Sequence, residues 1–143
     1  MAALYQLCAY GELDEVREEL ARGGDVNYKD SDALVDGMTA LMIAVSEGHN
    51  SIVQLLLEQP AVKTNEKDIA GSTALHWAVF GNNAEGARML LLHPGFNSAN
   101  STDTDGETAL MVAVRERRKE IVLELVKHES VSLDLRKGAL KGR

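Results

Sequence analysis

Apolar positions along this chain come in paired short bursts that recur at a fixed interval. Three segments align directly: GMTALMIAVSEGHNSIVQLLLE from Gly37, GSTALHWAVFGNNAEGARMLLL from Gly71 and GETALMVAVRERRKEIVLELVK from Gly106. The leading glycines stand 34 and 35 residues apart. Each segment opens Gly-x-Thr-Ala-Leu and runs to an Ala-Val pair, namely Ala44-Val45, Ala78-Val79 and Ala113-Val114. Within a burst the spacing is helical: Leu41, Ala44 and Val45 fall at i, i+3 and i+4. In the first of these segments the pattern predicts a helix capped by Thr39 and running to about Glu47. A second helix starts near Ser51, carries Ile52, Val53, Leu55, Leu56 and Leu57, and is stopped by Pro60, as Pro94 stops its counterpart. Helices this short are marginal alone. Two of them cannot bury both apolar faces, so neighbouring units must stack on one another. The small side chains of Ala44, Ala78 and Ala113 allow the helices to approach closely.

The turns repeat as well. Asn65-x-x-Asp68-x-x-Gly71 recurs as Asn100-x-x-Asp103-x-x-Gly106, and Asn27-x-x-Asp30 begins the same turn with Gly37 arriving four residues late. The extra residues fall within Ser31 to Asp36. An apolar pair there, Leu34-Val35, sits among Asp30, Asp32 and Asp36, which suits a long finger that touches a partner. The competing expectation is that the pair folds back onto Tyr28 or the first helices. A degenerate first unit precedes this turn: Gly11 to Val16 has the spacing of Gly48 to Val53, and Gly24-Asp25-Val26-Asn27 closes it.

These residues resemble the ankyrin repeat, whose pattern reads roughly D-x-x-G-x-T-P-L-H-x-A-A-x-x-G-H, then spaced Val and Leu-Leu, then V-N. The match covers about residues 3–131. The chain departs from the pattern in places. Alanine at 40, 74 and 109 replaces the proline, and the histidine survives only as His76, with Met42 and Met111 at the matching places. The glycine that ends the first helix is Gly48, then Asn82, then Arg117. Arginine in a left-handed conformation costs about 1 kcal/mol or more, so the last unit is expected to be looser.

The resemblance implies an all-α solenoid of four stacked helix-turn-helix units with protruding finger loops. The units span about 1–36, 37–70, 71–105 and 106–136, and residues 137–143 form a frayed tail. The first unit, rich in Glu12, Asp14, Glu15, Glu18 and Glu19, and the last, with Arg117, Arg118, Lys119 and Glu120, are expected to cap the stack. The implied function is a non-catalytic module that binds another protein on its concave face and fingers. Two alternatives are a regulatory segment of a larger protein and a substrate of an asparaginyl hydroxylase.

Composition narrows this picture. Aromatic residues make up 4% of 143 residues, so the core must be aliphatic. No apolar run approaches the ~20 residues of a membrane span, and MAALYQLCAYGELDE lacks the basic flank of a signal peptide. Cys8 is the only cysteine, which points to a reducing compartment, cytoplasm or nucleus. A net charge of -7 argues against nucleic acid. The charge is uneven: residues 1–36 hold nine acids and three bases, residues 106–143 six acids and nine bases. The expected state is a monomer without cofactor or metal.

Candidate chemistry is sparse. His76 has no nucleophile beside it, and the resemblance implies a structural role near the helix start. Cys8, beside Leu4 and Leu7, reads as a buried inert thiol. His49, His76, His93 and His128 belong to separate places in the repeat and show no metal spacing. The resemblance places Asn27, Asn65 and Asn100 where some family members are hydroxylated, with Asn27 in the best context; the structural alternative is that these side chains bond turn backbone. Trp77 and Phe80 occupy variable places that face the concave surface in similar stacks, and Trp77 fits core or surface equally. The candidate partner-binding residues are Tyr10, Ser46, Glu47, Trp77, Phe80, Arg115 and Glu116 on the helices, with Asp32, Leu34, Val35, Asp36, Ile69 and Thr104 on the fingers.

Overall fold

The structure is a computed structural model that describes residues 2–30 and 37–136. Among them lie eight helices in four pairs: α1 (Ala2–Tyr10) with α2 (Leu13–Ala21), α3 (Ala40–Ser46) with α4 (Asn50–Leu57), α5 (Ala74–Phe80) with α6 (Ala84–Leu92), and α7 (Ala109–Arg115) with α8 (Lys119–Lys127). The first helices stack in the order α1, α3, α5, α7 and the second helices in the order α2, α4, α6, α8. Each pair therefore packs on the next in sequence. The expected all-α repeat solenoid is what the chain forms. Among the described residues the one addition is a two-residue ribbon at the first finger, where β1 (Lys29–Asp30) pairs antiparallel with β2 (Met38–Thr39).

Every Gly-x-Thr-Ala-Leu segment starts a helix for the same reason. Thr39, Thr73 and Thr108 are extended N-caps whose hydroxyls accept from the backbone N–H of Met42, His76 and Met111 at 3.2, 3.4 and 3.2 Å. That satisfies one of the donors a helix start leaves open. The first helix then stops on a left-handed residue: Gly11 (φ 78°), Gly48 (φ 77°), Asn82 (φ 53°) and Arg117 (φ 59°). The expected strain at Arg117 is thus present.

The core runs along the stack. Ala44, Ala78 and Ala113 are fully buried, as are Val45, Val79, Leu56, Leu90 and Leu125. Burying a valine or leucine side chain is worth about 1.5–3 kcal/mol, and the helix pairs pack both within a unit and on the next unit. Cys8 is buried, and burial pushes its thiol pKa up to about 12, so it stays protonated and unreactive.

Candidate functional site

The described candidate contact residues sit along and at the ends of the first helices and on the turns that precede α5 and α7. Tyr10 closes α1 and is 77% exposed. Ser46 and Glu47 close α3, half-buried and exposed. Phe80 closes α5 at 39% exposure. Arg115 closes α7, and both it and Glu116 are exposed. Ile69 and Thr104 stand exposed at matching finger positions, one residue after Asp68 and Asp103. Asp32, Leu34, Val35 and Asp36 lie outside the described residues.

Trp77 belongs to both core and surface. It is half-buried and packs on the core, while its ring meets Phe80 edge to face, with centroids 5.2 Å apart at 76°. Its indole N–H donates to Asp68 Oδ2 at 2.8 Å. The other Asp68 oxygen accepts from the backbone N–H groups of Ala70 and Ser72 at 3.0 and 2.9 Å. A buried carboxylate at the finger base thus fixes the indole, and the indole supports Phe80. The matching residues, Ile43 and Val112, are half-buried and fully buried. Arg115 is held in a similar way: its guanidinium bridges Glu107 at 3.0 Å and Glu116 at 2.5 Å. These bonds raise the arginine pKa further, chiefly through Glu107.

Ladders of identical bonds hold the fingers in register. Asn27 Nδ2 donates to the Ala61 carbonyl at 2.7 Å, and its Oδ1 accepts from Lys63 N–H at 2.8 Å. Asn65 does the same with Gly95 and Asn97, and Asn100 with Ser130 and Ser132. Each of these asparagine side chains thus bonds backbone in the turn of the following unit. Lys29 Nζ donates to the Lys67 carbonyl and Lys67 Nζ to the Thr102 carbonyl, both at 3.1 Å. Sequence reasoning missed this lysine ladder, although Lys29 and Lys67 follow their asparagines by two residues.

Three of the four histidines also work between units. Thr73 N–H donates to His76 Nδ1 at 3.1 Å, so the proton sits on Nε2, which donates to the Glu107 carbonyl at 2.9 Å. Burial lowers the His76 pKa against the opposing pull of that carbonyl, keeping the ring neutral. His49 Nε2 meets the Ala9 carbonyl at 3.2 Å and His93 Nε2 the Leu57 carbonyl at 3.0 Å. Asn83, at the place of His49, is a further staple: its Nδ2 donates to the Val45 carbonyl at 2.9 Å while its Oδ1 caps α6. Asp103, Asp105 and Glu107 bring three carboxylates within 4.8 Å of one another. Two of the three are already engaged: Asp103 accepts two turn N–H groups and Glu107 pairs with Arg115.

This geometry meets the comparisons with known proteins. A profile described as ankyrin repeats (three copies) matches residues 4–100, and a single ankyrin-repeat profile matches residues 105–137. The chain belongs to the ankyrin-repeat family. An ankyrin repeat protein of fowlpox virus is 37% identical over 102 residues, 71% of this chain and 29% of that protein. Rabankyrin-5 of Homo sapiens is 32% identical over 124 residues, covering 86% of this chain and 10% of its own length. Serine/threonine-protein kinase 12 of Arabidopsis thaliana is 33% identical over 90 residues, 63% and 18% respectively. The chain therefore spans less than a third of the length of these relatives. Ankyrin repeats are in general protein-interaction modules and typically non-catalytic. No helix among the described residues is long and apolar enough to cross a membrane.

Proposed function

We propose that this ankyrin-repeat chain binds another protein along the concave face formed by its first helices and fingers, without catalysing a reaction. The observation that carries the reading is the Trp77–Phe80 pair. Asp68 locks the indole in place, and Phe80 stays exposed on top of it. A rigid, supported aromatic side chain loses little entropy when a partner covers it, and aromatics and arginine are the usual anchors of protein interfaces. Tyr10 at one end of the row and Arg115 at the other extend the anchor set, with Ser46, Glu47, Glu116, Ile69 and Thr104 around them. The acidic, apolar stretch Asp32, Leu34, Val35 and Asp36 joins the surface on its composition alone.

The relatives carry their repeats within longer proteins, so the binding surface would serve a larger polypeptide in the same way. The test is affinity capture from source lysate by the wild-type chain and by Tyr10→Ala and Phe80→Ala, with identification by mass spectrometry. Proteins retained by the wild type should be lost with the double variant while its Tm stays close to wild type. Retention of the same proteins by the double variant would refute the concave-face reading. So would their loss instead with Gln54→Ala and Arg88→Ala on the second-helix side.

A further inference from the structure

The two ends of the stack are built differently. The first unit turns Glu12, Asp14, Glu15 and Glu18 to solvent. The fourth unit ends in aliphatic side chains. Val114 occupies the place of Cys8, Val45 and Val79, which are all 0% exposed, yet Val114 itself is 44% exposed. Val122 occupies the place of Val16, Val53 and Ala87, again all 0% exposed, yet it is only half-buried. Leu133, two residues past Val131 as Thr64 is two past Val62, is 65% exposed where Thr64 is 4%. Leu123 is 58% exposed where the earlier units place Gln54 and Arg88, polar residues suited to water. Val114, Val122 and Leu123 line one shallow hollow, framed by Arg117 and Lys119.

In units one to three, the residues matching Val114 and Val122 are closed off by the unit that follows in sequence. A terminal unit whose outer face met only water would be polar there, as the first unit is. We propose that the outward face of the fourth unit is a stacking face, shaped to be covered by a fifth helix pair of the same kind joined in series. The choice of occupant follows from continuity: each covered face of this type in the stack is covered by the next unit of the same polypeptide. Arg117 and Lys119 at the edge favour acidic residues where that pair meets them. An apolar hollow of this sort is otherwise a liability for association.

The test uses the 143-residue chain and an extended chain. In the latter a copy of residues 71–105 replaces 140–143, so that its leading glycine stands 34 residues after Gly106, the spacing already present between units. Val114→Lys and Leu123→Lys are introduced into both. The extension should raise Tm by several degrees in a single transition. The two substitutions should leave the 143-residue chain's Tm nearly unchanged and cancel the gain in the extended chain. Three results would overturn the proposal. The extended chain could melt in two steps, the larger at the original Tm. The substitutions could lower the Tm of the 143-residue chain as much as they do in the extended one, meaning that the chain already covers the face itself. Finally, the 143-residue chain could sediment as a dimer that Leu123→Lys splits, making a second copy the occupant.

Discussion

At the place of His76 the chain carries its own substitution series. Met42 and Met111 stand where His76 stands, and their sulfurs take over only the local bond: Thr39 and Thr108 N–H approach Met42 Sδ and Met111 Sδ at 3.5 and 3.4 Å. Neither thioether can donate, so the link that His76 makes to the Glu107 carbonyl has no counterpart there. His76→Met should therefore keep the helix start and lose one buried bond between units, about 1 kcal/mol. The loss should depend on pH. Burial holds the folded His76 pKa below its ordinary value, so the unfolded chain takes up a proton first as pH falls. The ring's contribution is full above the ordinary imidazole value of about 6.5 and declines as pH drops through the folded value. Urea titrations at about pH 7.5 and about pH 5 should show the gap between wild type and His76→Met narrowing at the acid end. A gap that widened would contradict the neutral, Nε2-protonated ring. Arg117 offers a second single-residue test. Its φ of 59° is a glycine conformation, so Arg117→Gly should raise stability by about 0.5–1 kcal/mol, readable as a higher urea midpoint.

Between elements, the residue that ends α5, Gly81, comes very close to the end of α3. A β-carbon at Gly81 would overlap the Ser46 carbonyl oxygen, even though its φ of -86° suits any residue. Gly81→Ala must push the two helices apart, and should lower stability by about 1–3 kcal/mol, with a drop in Tm while far-UV circular dichroism stays helical. Wild-type stability would mean that the helices sit farther apart than described. The sequence holds no sign of this contact, because Glu47 and Glu116 occupy the same place in neighbouring units. What was legible was whatever repeats. Thr39, Thr73 and Thr108 announced the helix starts, the alanines the close packing, and Asn27, Asn65 and Asn100 the turns. What was not legible was made by single residues acting across units. Asn83 has no asparagine at the matching places of the other units, so the bond from its amide to the Val45 carbonyl has no repeated signal. The role of Asp68 in holding Trp77 depends on a finger folding back over a helix nine residues later. Trp77 stayed ambiguous for a physical reason: its ring packs on the core while its N–H and its edge serve the surface.

For the whole molecule, stability is a sum of unit and interface contributions, because among the described residues the main packing of each helix pair is on its sequence neighbours. The inner units have covered faces on both sides. The first unit has one, yet its outer face is charged and its fully buried Cys8 and Val16 sit against the second unit. The fourth unit has one covered face and leaves Val114, Leu123 and Val126 partly exposed on the other side, at 44%, 58% and 43%. It also bears the strained Arg117, the one left-handed position among the described residues occupied by neither glycine nor asparagine. Two independent costs thus fall on the same unit. Opening should start there and proceed toward α3 and α4. Native-state hydrogen exchange read by mass spectrometry should give the lowest opening free energies for α7 and α8, intermediate ones for α1 and α2, and the highest for α3 to α6. Arg117→Gly should raise the protection of α7 and α8 first, since they make up the unit that holds the strain. Uniform protection across all eight helices would show that the interfaces couple more strongly than nearest-neighbour stacking allows. An order with α1 and α2 opening first would show that the acidic first unit, with its crowded carboxylates, is the weaker end.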